Sequence, residues 1–510
     1  MTAATTSEQI VDPPQKGVRW LALIAAMLGT TVYMMTVTTS GTAIPHMQGA
    51  FSAAPDQMAW LFTAFIIGTT IMTACSGWLA VRFGRRNFYL ASAIGFTISS
   101  TLCGFSESLE QAVLFRTLQG ISGAPLIPLG QAIAIDAFPP NRQGQATTLW
   151  SIGGMWGSIF GPILGGVLVN NYGWPWVFFI CVPFGVAAAL ATWAFVPRGR
   201  ELVKRRFNWF GFGIISIAIA AFEMMLNRGE RLDWFSSTEI VIEGIVAAVA
   251  FYIFVVHTVT ARAPFFDRAL FRDRNYLIAL AFMFIYGAVV FLQVLLIPLL
   301  LQDLAGYDIE QVGTLLTIRG LGVAAGMFML IPVSDRIDPR LILLFGFGCL
   351  IVSSWGMSES SLDIRSFDVA WTNFVQGIGS GVAYVPIVIF GFSTLPQRLR
   401  NEGVAMLYLV SNIGTATGTA FIFNYLSRNM HINQGIISEY MSPYSEMFKL
   451  GLVPRLWDWT ERSGLAAMDA VIARQAAIIA YNSSFFLIAL TALAVLPFAL
   501  FVRLPPRARD

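Results

Sequence analysis

The chain has 510 residues, of which 56% are hydrophobic and only 12% charged, about half the charge fraction of an ordinary soluble domain. That balance excludes a string of soluble domains. Apolar runs of about 18 residues or more require membrane spans, because a helix rising about 1.5 Å per residue needs roughly 20 to cross the hydrocarbon. A formal net charge of +3, with no basic block interleaved with aromatics, argues against a nucleic-acid partner.

In chain order, hydropathy predicts fourteen spans, at 20–40, 58–80, 87–106, 111–135, 145–169, 176–196, 209–227, 238–259, 276–300, 312–333, 341–358, 367–395, 403–426 and 476–502. The polar stretch before the first reads as the n-region of a signal anchor. Lys and Arg set the orientation, since cytoplasmic loops carry their excess. Lys16, Arg19, Arg82, Arg85, Arg86, Arg142, the basic run from Arg198 to Arg206, the arginines between 260 and 275, Arg336, Arg340, Arg398, Arg400 and the C-terminal tail all fall on one side. Both termini are therefore expected in the cytoplasm. The one long loop on the far side, 427–475, repeats aromatics (Tyr440, Tyr444, Phe448, Trp457, Trp459), which predicts a packed or interfacial hairpin.

The four cysteines (Cys75, Cys103, Cys181, Cys349) fall inside apolar runs and read as small core residues. No metal or cofactor is expected. The three histidines (His46, His257, His431) are far apart along the chain, and no Gly-x-x-x-x-Gly-Lys loop is present for ATP. An enzyme and an ATP-driven pump are both disfavoured.

An internal repeat organises the spans. Leu118-Gln119-Gly120-Ile121 matches Val375-Gln376-Gly377-Ile378, each in a glycine-rich span followed by a proline (Pro128, Pro386). At nearly the same separation, Val81-Arg82-Phe83-Gly84-Arg85-Arg86 matches Asp335-Arg336-Ile337-Asp338-Pro339-Arg340. The expected fold is therefore an all-α polytopic membrane protein with two six-helix halves, 1–196 and 261–510. The 197–260 segment between them holds two extra spans. Duplicated halves around a midplane site are the usual build of a secondary transporter.

Ionisable groups at membrane depth are expensive and functional by default. Arg116 lies several residues inside the fourth span. Arg319 lies in the tenth, where it is expected to pair with a carboxylate across the cavity. Glu223 sits deep in the seventh span, either as a coupling acid or bonded to a neighbouring helix; Glu243 is interfacial. Gly157, Gly161 and Gly165 recur every four residues on one helix face and let two helices meet backbone to backbone, while Pro162 bends the helix beside them. Aromatic, sulfur and amide side chains facing a midplane cavity suit lipophilic ligands, and the candidates are Met35, Trp60, Trp150, Trp156, Tyr286, Gln293, Tyr408 and Asn412.

These residues resemble the major facilitator superfamily, in its fourteen-span drug:H+ antiporter branch of the EmrB/QacA type, over nearly the whole chain. Gly77-Trp78-Leu79-Ala80-Val81-Arg82-Phe83-Gly84-Arg85-Arg86 is similar to the superfamily's inner-loop signature. Arg116-x-x-Gln119-Gly120 is similar to the membrane-embedded arginine motif, and Gly157-x-x-x-Gly161-Pro162-x-x-Gly165-Gly166 to the antiporter motif. Leu226 to Trp234 resembles the far-side loop of EmrB-type exporters. The resemblance implies export of amphipathic small molecules from a bacterial inner membrane in exchange for protons. It assigns Arg116, with Gln119, to proton coupling, and the glycine–proline face to limiting proton leak. Asp136 would stand near the cytoplasmic gate, pairing with loop arginines such as Arg142, and Asp335 would keep the acid of the second-half signature. A periplasmic membrane-fusion adaptor and an outer-membrane channel are the implied partners, with the Asp233-Trp234 loop and 427–475 as contacts.

Two positions depart from the pattern. Thr36 stands where the branch keeps a first-span aspartate, and Val81 replaces the aspartate of the inner-loop signature. These changes favour, as the alternative, an exporter of one physiological solute such as a siderophore, fatty acid or metabolite, not coupled to protons.

Overall fold

The computed structural model describes residues 16–53, 55–139, 142–197, 207–332, 337–396, 399–441, 457 and 461–502. Asp335, Arg336, Arg398, Tyr444, Phe448, Trp459, the 198–206 basic run and the C-terminal tail lie outside these residues, as does the side chain of Pro162. Among the described residues the chain is helical, with no strand.

Among the described residues fourteen helical spans form close to where hydropathy places them, and the last two run on into the expected 427–475 loop, one to Tyr440 and the other from Arg462. The first half holds α1 (Lys16–Phe51), α2 (Pro55–Phe83), α3 (Arg85–Gly104), α4 (Leu109–Ala137), α5 (Gln143–Tyr172) and α6 (Trp176–Phe195). Then come α7 (Trp209–Arg228) and α8 (Thr238–Thr260). The second half holds α9 (Arg274–Leu299), α10 (Ile309–Leu330), α11 (Pro339–Ser358), α12 (Ser366–Ser393), α13 (Arg400–Tyr440) and α14 (Arg462–Val495). Thirteen of these are long and apolar enough to cross a membrane. The other, α3, is 20 residues long and is diluted by Ser92, Thr97, Ser99, Ser100 and Thr101. Four of those hydroxyls, on Thr97, Ser99, Ser100 and Thr101, are satisfied within the helix: Thr97 donates to Ala93 O at 2.7 Å and Ser100 to Phe96 O at 2.7 Å. Water is not needed, so α3 stays in the bundle.

Local chemistry fixes the helix ends. Ser108 accepts from Gln111 N at 3.3 Å to start α4, Asn208 from Gly211 N at 2.7 Å to start α7, and Asp273 from Tyr276 N at 2.9 Å to start α9. Gly84, at φ 84°, turns the chain between α2 and α3 within the inner-loop signature. The fourth span breaks into two helices, Leu109–Gly123 and Leu126–Ala137, at Pro125.

The packing repeats as the sequence does. In the first half α1 packs on α5, α2 on α4, and α3 on both α4 and α6; in the second, α9 packs on α13, α10 on α12, and α11 on both α12 and α14. The halves meet along two seams, α2 against α13 and α5 against α10. The extra pair packs on itself, and α7 leans on α2 and α13, so it covers the first seam from outside. Large apolar side chains on the perimeter stay bare, including Trp20 at 52%, Trp193 at 61% and Trp209 at 75% exposure, which is the face a bilayer covers.

The expected small-residue contact is made between α1 and α5. A Cβ on Gly157 would stand 2.4 Å from Thr31 O and 2.8 Å from Met35 N, and one on Gly161 1.8 Å from Thr38 Oγ1. Thr31 donates to Gly153 O at 2.7 Å across the same contact. Gly165 is buried on this helix, whereas a Cβ on Gly166 would meet nothing within 4 Å. Gly157→Ala should lower the melting temperature of the detergent-purified protein, by an amount matching the roughly 1–3 kcal/mol of an overpacked core. Gly166→Ala should leave it unchanged.

Candidate functional site

Arg116 is enclosed by the first half, with 2% of its surface exposed. Its Nε donates to Leu61 O on α2 at 3.4 Å, and its Nη1 to Gln119 Oε1, one turn along α4, at 2.6 Å. Gln119 passes the network on, its Nε2 donating to Ser100 Oγ of α3 at 2.7 Å. The guanidinium carbon lies 4.5 Å from the ring centre of Phe65 and 5.8 Å from that of Phe178, so aromatic faces supply part of the missing solvation. Tyr33, Cys103 and Cys181 complete the electrostatic surroundings. No carboxylate among the described residues stands within 4 Å of it. Thr36, fully buried, bonds to Val32 O at 2.9 Å and to Cys181 Sγ at 3.1 Å. The position where a first-span aspartate was expected therefore borders the arginine's own shell.

A second polar group bridges the halves. Tyr384 on α12 donates to Gln131 Oε1 on α4 at 2.8 Å and shares a 2.5 Å bond with the hydroxyl of Tyr408 on α13. Tyr286 on α9 lies tilted beside Tyr384 with ring centres 6.0 Å apart and donates to Ser380 O at 2.9 Å. Arg319 on α10 is close enough to Tyr286 to interact electrostatically. The expected carboxylate partner of Arg319 is not found within 4 Å among the described residues, and its Nε has no acceptor. Trp150, buried on α5, faces Gly130 beside Gln131, and Asn412 follows Tyr408 by one turn of α13. Tyr384 and Gln131 were not among the sequence candidates. Gln131, a lone amide in the run Leu126–Ala137, was the available signal.

The remaining cavity candidates lie elsewhere. Gln293 is fully buried and bonds to Ser354 of α11, inside the second half. Trp60, 37% exposed, lines a peripheral groove of about 490 Å³ with Gln57, Glu110 and Thr117, and Arg228 stands 5.7 Å over its ring. Met35 is packed in the α1–α5 contact, where it borders a second perimeter groove of about 420 Å³. Trp156 and Phe160 stack there, ring centres 5.3 Å apart.

At the end of the bundle that carries the arginine loops, Arg85 pairs with Asp136 across α3 and α4, and Arg86 donates to Trp193 O on α6. The partner of Asp136 is thus Arg85, while Arg142 is exposed. Arg400 of the second half lies close enough to repel Arg85. Arg82 is exposed, Val81 half-buried, and Gly77 buried in α2. Glu223 is 1% exposed on α7, with neither carboxyl oxygen hydrogen-bonded; Thr70 of α2 is its polar neighbour, although that hydroxyl donates to Ile66 O. Glu243 is half-buried and takes Arg228 at 3.3 Å, which also pairs with Glu239 at 2.5 Å.

The Major Facilitator Superfamily model matches residues 26–419. The multidrug export protein EmrB of Escherichia coli K12 is 32% identical over 94% of this chain and 95% of its own length. The chain belongs to the major facilitator superfamily, in its EmrB branch. The fatty acid resistance protein FarB of Neisseria gonorrhoeae is 31% identical over 85% of this chain and 86% of its own. A crystal structure of a bacterial homologue of the human lysosomal transporter Spinster, inward-facing and unoccupied, shares the fold, at a TM-score of 0.57, 17% identity, and coverage of 97% of this chain and 100% of that one. A superfamily member must open alternately at its two ends, and the Tyr384–Gln131 bond spans the interface that would part. Gln131→Leu and Tyr384→Phe should each lower thermal stability, and the double variant should fall short of their sum by about 1 kcal/mol, the worth of one hydrogen bond.

Proposed function

We propose that this chain exports amphipathic small molecules across a bacterial inner membrane, with its termini on the cytoplasmic side. What carries the reading is the likeness to EmrB along 94% of the chain. The geometry agrees with it. The backbone contact of Gly157 with α1 gives the stiff seam an antiporter needs, and the groove with Met35, Trp156 and Phe160 offers lipophilic molecules a lateral approach.

Proton coupling needs a carboxyl that can gain and lose a proton as its surroundings change. Glu223 is such a group at membrane depth, held at a seam that moves, and Arg116 is a fixed positive charge inside the first half. Around the basic end Arg85–Asp136 would hold the gate, with the Gln131, Tyr384 and Tyr408 group bridging the halves, and the repeat makes Asp335 the counterpart acid of the second half. The Asp233-Trp234 turn, both residues at positive φ, and the far-side extensions of α13 and α14 are the surfaces an adaptor and outer-membrane channel would use.

A second reading has an observation of its own. Among the described residues Arg116 has no carboxylate within 4 Å, and Thr36 stands where one was expected. That surplus positive charge suits an anionic amphipath such as a fatty acid.

In proteoliposomes with a lipophilic dye, an imposed pH gradient should drive transport, and Arg116→Ala should cut it at least about ten-fold, ~1.4 kcal/mol of lost stabilisation. Glu223→Gln should retain binding and lose the response to the gradient. Transport that ignores the gradient in the parent protein would remove proton coupling. Thr36→Asp should weaken export of a fatty acid more than of a neutral dye, as Arg116 acquires a partner.

A further inference from the structure

The internal repeat makes the second half a built-in comparison for the Arg116 site. It aligns Gln119 with Gln376 and Arg116 with Asn373, each pair three residues apart on α4 and α12. The serine pair is also repeated, Ser99-Ser100 on α3 and Ser353-Ser354 on α11. In the first half, Gln119 Oε1 is occupied by the guanidinium. In the second half Asn373 stands in the arginine's place, the nearest arginine, Arg319 on α10, packs its backbone on Gly377, and the acceptors remain.

Three amide oxygens there have no donor: Gln293 Oε1, Asn373 Oδ1 and Gln376 Oε1. All three residues are fully buried. The orientation of Asn373 and Gln376 is fixed by chemistry, since each of these amide nitrogens faces a carbonyl, which can only accept. Asn373 Nδ2 donates to Val369 O at 3.0 Å and Gln376 Nε2 to Val290 O at 3.3 Å. Gln293 Nε2 donates to Ser354 Oγ, whose own hydrogen goes to Leu350 O at 2.8 Å. Flipping Asn373 or Gln376 would set oxygen against oxygen.

The same bonds bring the residues together. Gln376 is tied to α9 at Val290, one turn from Gln293; Gln293 is tied to α11 at Ser354; and Ser353 closes the ring by donating to Thr372 O, next to Asn373, at 2.8 Å. A buried acceptor without a donor costs about 1–3 kcal/mol, and three in one wedge call for a positive partner. The wedge contains no carboxylate, so its neutral oxygens suit a monovalent cation better than a divalent one, which needs charged ligands.

We propose that Gln293, Asn373 and Gln376 form a binding site for an alkali-metal cation between α9, α11 and α12, at the position the first half fills with the Arg116 guanidinium. The site is independent of the export reading and is tested without substrate. Purified transporter is melted in NaCl, KCl, LiCl or choline chloride at equal ionic strength, and binding of 22Na+ is measured by equilibrium dialysis. One alkali cation should raise the melting temperature saturably over choline. Asn373→Leu should abolish that rise while melting as the parent does in choline. Asn373→Asp, close in shape and adding a charge, should tighten 22Na+ binding about ten-fold or more, which keeps the proposal exposed if the leucine variant fails to fold. Equal melting in all four salts with no saturable 22Na+ binding means that water alone serves these oxygens, and overturns the site. An aspartate variant with unchanged sodium affinity also overturns it.

Discussion

A guanidinium held inside a membrane bundle, with no carboxylate among the described residues beside it, constrains everything around it. Arg116 cannot be solvated by lipid, so α2 lends it a carbonyl, α4 an amide, α3 a serine at one remove, and Phe65 and Phe178 their faces. The contributions come from four helices, α2, α3, α4 and α6. The arginine therefore ties the first half into a unit that moves as one body, which is what rocking around a central site requires.

The same constraint explains why the interhelical contacts are so often made by glycine. In lipid there is no hydrophobic drive between helices, so they associate where backbones can come close enough for dispersion and carbonyl contacts. Gly157 meets the α1 backbone; Gly120 meets Phe65 O and Gly377 meets Arg319 O at repeat-related positions. These contacts lie within a half. Between halves Gly320 still packs on Ile159, but the polar contact is Tyr384 on Gln131, a bond that can be exchanged for water if the halves part.

The sequence was legible where a property is summed along a helix. Span positions, the duplication, the depth of Arg116 and the small-residue face of α5 all follow from composition at a known rise per residue. It was silent where the answer depends on the rotation of one helix against another. Gln293 and Trp60 looked like cavity residues, but one faces α11 and the other the perimeter, because an apolar span carries little asymmetry to show which side is inward. Arg319 looked as though it needed an acid and instead lies beside Tyr286. The Tyr384–Gln131 pair joins residues 253 positions apart in the chain, so nothing local announced it. The partner of Asp136 was sought at Arg142 and found at Arg85, since the 85-end of α3, rather than the nearer loop, is packed over α4.

The helix α13 runs unbroken for 41 residues, close to 60 Å at ~1.5 Å per residue, or about twice the thickness of the hydrocarbon. Its root bears Tyr408 at the seam; its tip stands well clear of the bundle, braced by α14 through Gln434 and Asp469 at 3.3 Å. A rigid rod pivoted near one end magnifies small angles at the other. A few degrees of rocking in the second half becomes several ångströms of sweep at the tip, so anything resting there would receive each turnover as a mechanical stroke.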